Sequence, residues 1–153
     1  MRQLNFAAPG FGITLHTAIR PGLNQATEAL DAEQLGYDVL TLHRDAINGN
    51  DPSFENWTFL TWLTAQTTRI SVAPLVLALP HRHPAVLAKM AETLDRLSGG
   101  RLILVLGGGG PMNEPAYRAL GLASRSVWPP HRPATQSGLL AREVLPMVRD
   151  LMV

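Results

Sequence analysis

Four features of this chain could do chemistry: His43, His16, the H-x-H pair His81 and His83, and the run Gly107 to Gly110. An imidazole changes charge near neutral pH, so a strand-end histidine such as His43 can act as a general acid or base. His16 closes an earlier apolar segment and has the same chemical capability, but no motif stands behind it. An H-x-H pair can bind zinc only with further ligands from other segments. No metal site is assigned to it, and His83, directly before Pro84, reads as the cap of the helix that the proline starts. The four glycines follow the apolar run LILVL. Missing side chains let a flat ring lie against backbone and leave amides free to bond it. A dinucleotide fingerprint does not fit: its third glycine would fall on Met112 or Asn113, and it belongs after a first strand.

These residues need elements to position them. Phe11 to Leu15 (FGITL) reads as a strand, and Gln25 to Leu35 as a helix with Ala26, Ala29, Leu30 and Leu35 near one face. Gly36 is placed to end that helix. Tyr37 to Leu42 (YDVLTL) is the second strand, and Asn48 to Pro52 is a turn-rich loop. Asp51 is expected to cap a helix with Pro52 at its first position, running to about Thr68. Phe54, Trp57, Leu60 and Trp62 or Leu63 should point inward. Trp57, Phe59 and Trp62 read as packing residues rather than a ligand platform. Ile70 to Leu79 (ISVAPLVLAL) is a third strand, apolar on both faces, with Pro74 marking a bulge or an edge.

Pro84 starts a helix on which Leu87, Met90, Ala91, Leu94 and Leu97 recur at helical spacing, and Gly99-Gly100 ends it. Leu102 to Leu106 is the fourth strand. A short helix from Glu114 to Leu120, a proline-rich loop from Ser124 to Ser137 and a last helix from Leu139 to Met152, interrupted by Pro146, complete the reading. Glu28, Asp31 and Glu33 look like a solvated helix face.

The strands recur at spacings of about 26, 33 and 31 residues, one βα unit each. Strand then helix, repeated, implies a parallel α/β sheet in one domain, residues 1–153. Two architectures fit: about four units of a (β/α)8 barrel, or an open doubly wound sheet. Either leaves open strand edges, and a half-barrel also leaves a concave face expected to be apolar. The chain is therefore expected to pair, with a second copy of itself or with a partner supplying a second half. A closed sandwich covered by the last helix is the alternative.

Composition narrows the function. Net charge is +1, with 13 basic and 12 acidic residues spread along the 153. Nucleic-acid and membrane-surface roles need a concentrated basic face, so neither is expected. Without cysteine there is no thiolate zinc site and no thiol catalysis. The N-terminus has no apolar signal segment and no run long enough to span a bilayer, so the expected setting is the cytoplasm.

Four segments carry a family resemblance: AEQLGYDVLTLH (Ala32 to His43), WTFLTWLTAQTTRI (Trp57 to Ile70), APLVLALPHRHPAVLAKMAETLDRLSGGRLILVLGGG (Ala73 to Gly109) and YRALGL (Tyr117 to Leu122). In that order the chain resembles the N-terminal half of the bacterial luciferase-like flavin-dependent oxidoreductases. The resemblance implies a TIM barrel with reduced flavin mononucleotide (FMN), or alternatively a deazaflavin, at the C-terminal mouth of the strands. It implies oxygenation or hydride transfer on a small organic substrate. His43 matches a histidine used near the reactive ring; relatives often carry an acid just before it, where this chain has Leu42, followed by Arg44 and Asp45. The segment Pro74 to Ala78 matches a bulged strand that backs the ring, sometimes with unusual peptide geometry. The cofactor contacts implied are Leu75, Val76, Ala78, Gly107, Gly108 and Gly109. Asp95, Arg96 and Arg101 match polar residues that tie a helix end to the next strand start. A phosphate site made by later strands is not expected within this chain. The rival reading is a half-barrel that binds flavin or serves in assembly without catalysing a reaction.

Overall fold

A computed structural model describes residues 10–22, 24–43, 52–108 and 114–122. Two compact units are present, one of residues 1–77 and 93–105, the other of residues 78–92 and 106–153. In the first unit, strands β1 (Gly12–His16), β2 (Val39–His43) and β3 (Ser71–Leu75) form a parallel sheet in the order β1-β2-β3. Helices α1 (Gln25–Gln34) and α2 (Asn56–Gln66) make the crossovers. The βαβαβ order expected from the spacing is therefore present.

Alternation along the strands sorts the sheet into two faces. Leu15, Leu40, Leu42, Val72 and Pro74 lie on one, all buried. The other carries Gly12, Thr14 and His16 from β1, Val39, Thr41 and His43 from β2, and Ser71, Ala73 and Leu75 from β3. On β1 and β2 this second face is polar at Thr14, His16, Thr41 and His43, while β3 sets apolar Ala73 and Leu75 there beside Ser71. Thr14 and Thr41 are register partners and share a hydroxyl–hydroxyl hydrogen bond of 2.7 Å.

Helix α1 is capped by Asn24, whose Oδ1 accepts from the N–H groups of Ala26 and Thr27. Gly36, at φ +90°, follows its end as expected. The buried stripe is Gln25, Ala29 and Ala32. Leu30 and Leu35 are exposed instead.

Helix α2 starts later than expected. Pro52 and Phe54 are taken up by backbone pairing with the segment after β1: Ile19 N–H donates to Pro52 O, Phe54 N–H donates to Thr17 O, and Ala18 bridges Ser53. The cap is Glu55, whose carboxylate accepts from Trp57 and Thr58 N–H, not Asp51, which lies outside the described residues. Trp57, Leu60 and Leu63 are buried, while Phe54 and Trp62 are exposed.

The third expected strand, Ile70 to Leu79, divides into β3 and β4 (Leu77–Ala78), and the break falls at Val76 rather than at Pro74. The fourth, Leu102 to Leu106, is reduced to one bridge at Leu102 and to β5 (Leu106–Gly107). Pro74 explains the gap. Val72 N–H donates to Arg101 O, and Ile103 N–H donates to Val72 O. The next ladder donor on that edge would be residue 74, and proline has no N–H. Pairing resumes where Leu77 N–H donates to Val105 O.

A 3-10 turn (Leu79–His81) precedes α3 (Pro84–Ser98). The start of α3 is as expected: His83 Nδ1 accepts from Ala85 N–H. So is its end: Gly99 and Gly100, both at positive φ, donate their N–H groups to Arg96 O and Asp95 O. Leu87, Ala91 and Leu94 are buried, but Leu97 is 80% exposed. Helix α4 (Glu114–Ala119) ends one residue before the expected Leu120. The loop Ser124 to Ser137 and the helix Leu139 to Met152 lie outside the described residues. Among the described residues no helix is long and apolar enough to cross a membrane.

Candidate active site

Parallel register places three side chains in one row where the strands of the first unit end. His16 pairs with His43, and His43 pairs with Leu75. The two imidazoles meet edge to face, with ring centroids 5.1 Å apart and planes at 61°. Both are exposed. The peptide bond between Leu75 and Val76 is cis, at the segment where the family resemblance implied unusual geometry, and each of these apolar residues is 41% exposed. The rim therefore offers two titratable rings beside apolar surface. That combination suits a flat ring that needs both packing and a proton donor or acceptor.

Several bonds hold this rim from beneath. Thr17, itself buried, directs its Oγ1 to His43 O at 3.5 Å. Asn56, fully buried at the start of α2, donates Nδ2 to Leu42 O. Gln25 Nε2 donates to Ala18 O at 2.9 Å. Leu42 points to the buried face and is 0% exposed, so an acid at this position would be an unsolvated charge. Arg44 and Asp45 lie outside the described residues.

The opposite end of the same sheet is bonded far more densely. Glu33, expected on a solvated face, accepts from the backbone N–H groups of Thr68, Arg69 and Ile70. Burial alone would raise its carboxyl; the N–H bonds from Ile70, Arg69 and Thr68 outweigh that and hold it below the usual carboxylate range. Arg69 Nη2 donates back to Glu33 O and Tyr37 O. Arg101 spans the end of α2 and the start of β3, donating to Thr64 O, Thr67 Oγ1 and Ile70 O as well as to Ser98 O. Burial lowers its guanidinium from the ordinary value, and the Glu33 charge opposes that. The structural role expected of Arg101 is what its bonds describe.

A cavity of about 730 Å³ opens between the first turns of α1 and α2, lined in part by Asn24, Gln25, Phe54, Phe59 and Trp62. Phe54 lies 4.7 Å from Phe59 and Phe59 5.9 Å from Trp62, centroid to centroid. Phe59 and Trp62, read as packing groups, thus also form the wall of a cavity, whereas Trp57 is buried in the core.

In the second unit, the His81 ring meets Tyr117 edge-on at 5.6 Å, while His83 serves its helix cap. The H-x-H pair is thus divided between two structural tasks. Among the described residues no three His, Asp or Glu side chains are grouped to hold a metal. Ala78 is buried, and Gly107 and Gly108 are half-buried; Gly109 and Gly110 lie outside the described residues.

Residues 1–152 match the luciferase-like monooxygenases. The chain belongs to that family. It is 32% identical over 107 residues to 3,6-diketocamphane 1,6-monooxygenase of Pseudomonas putida, covering 64% of this chain and 28% of the relative. It is 35% identical over 94 residues to the F420-dependent glucose-6-phosphate dehydrogenase of Kineococcus radiotolerans, covering 58% and 27%. The chain thus spans less than a third of either relative's length. Among solved structures, the oxygenating constituent of the P. putida diketocamphane monooxygenase, in complex with FMN, superposes with a TM-score of 0.59 at 25% identity, covering 94% of this chain and 37% of that one.

From sequence, His43 and the Leu75–Val76 segment are candidate site residues, with His16 placed below His43. Sequence reasoning misses Glu33, Thr17 and Asn56 as positioning groups. Their partners are 14 to 37 residues away, so no local pattern announces them.

Proposed function

We propose that this chain is part of a flavin-dependent oxidoreductase that works on a small organic molecule at the C-terminal ends of β1, β2 and β3. The observation that carries this is the row His16, His43 and Leu75, which puts imidazoles and exposed apolar surface side by side on adjacent strand ends. FMN is the proposed cofactor, with a deazaflavin as the alternative; relatives named for each are similar to this chain. Leu75 and Val76 are exposed apolar groups that would pack a ring, and Ala78, Gly107, Gly108 and Gly109 are assigned to the cofactor from the family resemblance. When bound, the reduced cofactor supplies electrons to oxygen or a hydride to the substrate. The chain's own part is to hold the ring, shield it from water and move a proton at the His43 imidazole.

The proposal extends to architecture. Residues 1–153 act as one luciferase-like domain forming about half of a (β/α)8 barrel, in the cytoplasm. A second copy is one way to cover the open strand edge of this half. The support is β1, whose outer edge carries no strand among the described residues. Light scattering on purified protein should give at least twice the chain mass; a stable monomer would remove the homodimer.

The test of function is calorimetric and fluorescence titration with oxidised and reduced FMN and with a deazaflavin. Micromolar affinity for one of them, weakened several-fold by Leu75→Ser, supports the site. Absence of binding to all of them, in a sample that melts cooperatively, sinks it.

A further inference from the structure

We propose that His16 is a positioning residue for His43, holding its imidazole at the strand-end rim so that the two rings work as a pair. This rests on the reading of His43 as the proton-transfer group.

The argument starts from register. His43 has two neighbours in its row, His16 on β1 and Leu75 on β3. Leu75 can crowd the imidazole but cannot set its rotation, since an aliphatic group has neither a hydrogen-bonding edge nor a ring quadrupole. His16 meets it edge to face at 5.1 Å, the geometry that aromatic pairs favour and that fixes the relative tilt of two rings. Direct cross-strand neighbours on one sheet face are the pairs whose side chains interact most. Two residues below, on the same face of the same strands, Thr14 and Thr41 are joined at 2.7 Å, so the strand pair is already locked in register when it reaches the histidines. The backbone of His43 is held separately, by the Thr17 hydroxyl. Main chain, strand pair and one flank of the ring are thereby accounted for, and among the described residues His16 supplies the ring-edge restraint. An exposed imidazole without that restraint samples several rotamers, and a proton-transfer group has to be within hydrogen-bond reach of its target in one of them.

The deciding measurement is NMR of the imidazole rings in the full chain, which needs no turnover. In His16→Ala the ring-proton signals of His43 should move by a few tenths of a ppm, as the neighbouring ring current is lost, and its side-chain couplings should become averaged. His16→Phe keeps a ring edge and should retain the unaveraged couplings. His43 signals and couplings unchanged in His16→Ala would overturn the proposal. Oxidation of reduced FMN in aerated buffer gives the second readout: kcat about tenfold lower in His16→Ala with KM held within twofold, and most of it recovered in His16→Phe. A loss in KM and melting temperature alone would indicate a merely structural residue and would also overturn it. If His43→Ala leaves this oxidation unchanged, the reading of His43 itself falls and takes the pairing role with it. The NMR result still separates that case from a failed ring contact.

Discussion

The two ends of the β1-β2-β3 sheet are built on opposite principles. At the end where the strands begin, Glu33 and Arg101 gather N–H and C=O groups of α2, of residues 68–70 just before β3 and of Ser98 at the end of α3 into a dense set of charge-assisted bonds. At the end where the strands finish, the side chains are two exposed imidazoles and two half-exposed apolar groups, and the bonds beneath them go mostly to backbone. One end satisfies its polar groups internally; the other leaves its two imidazoles exposed. Parallel α/β folds separate stability from chemistry in this way because all strands finish at one edge and their loops are free to vary there.

Arg101→Ala should have the largest effect on stability. It removes four hydrogen bonds at once, so we expect a loss of about 2–3 kcal/mol in urea unfolding. Lysine should not restore it, since a single ammonium cannot reproduce the planar fork. A loss below half a kcal/mol would erase the contrast between the ends. His43→Ala should do the reverse, lowering turnover about a hundredfold while stability moves by no more than about 0.5 kcal/mol. Equal damage to both would mean that the rim is structural too.

Glu33→Gln should cost about 1–2 kcal/mol near neutral pH, a value already reduced for its partial exposure. Its dependence on pH has a definite sign. The folded carboxyl lies below its unfolded value, so its contribution is complete above the unfolded value and is lost as pH falls through the folded one. The gap between wild type and Glu33→Gln in urea midpoint should therefore close in strong acid, and a gap that widened there would contradict the bonding described. Smallest of all, Leu75→Ser should leave unfolding within about 1 kcal/mol of wild type, because the residue is already half-exposed. Its FMN affinity should nevertheless fall several-fold in calorimetry.

Much of this was legible from local pattern. Pro84 and Gly99-Gly100 bounded α3 correctly, and the recurrence of strand and helix announced a parallel sheet. Helix α2 was misplaced at its start because Pro52 and Phe54 pair with residues more than 30 positions away, which turn chemistry near Asp51 cannot reveal. The strand after Leu102 was shortened by Pro74, whose missing N–H acts on a neighbouring strand rather than on its own.

The sequence by itself determined where chain direction changes, which strands are parallel and which residue types arrive at their ends, since periodicity, prolines and glycines act over a few residues. Register was left to the tertiary structure, and it is register that put His16 beside His43, Thr14 beside Thr41 and Leu75 in the same row. It also turned Glu33 from a surface charge into a clamp, because only the folded chain brings the N–H groups of residues 68 to 70 within hydrogen-bond range of a carboxylate some 35 positions earlier.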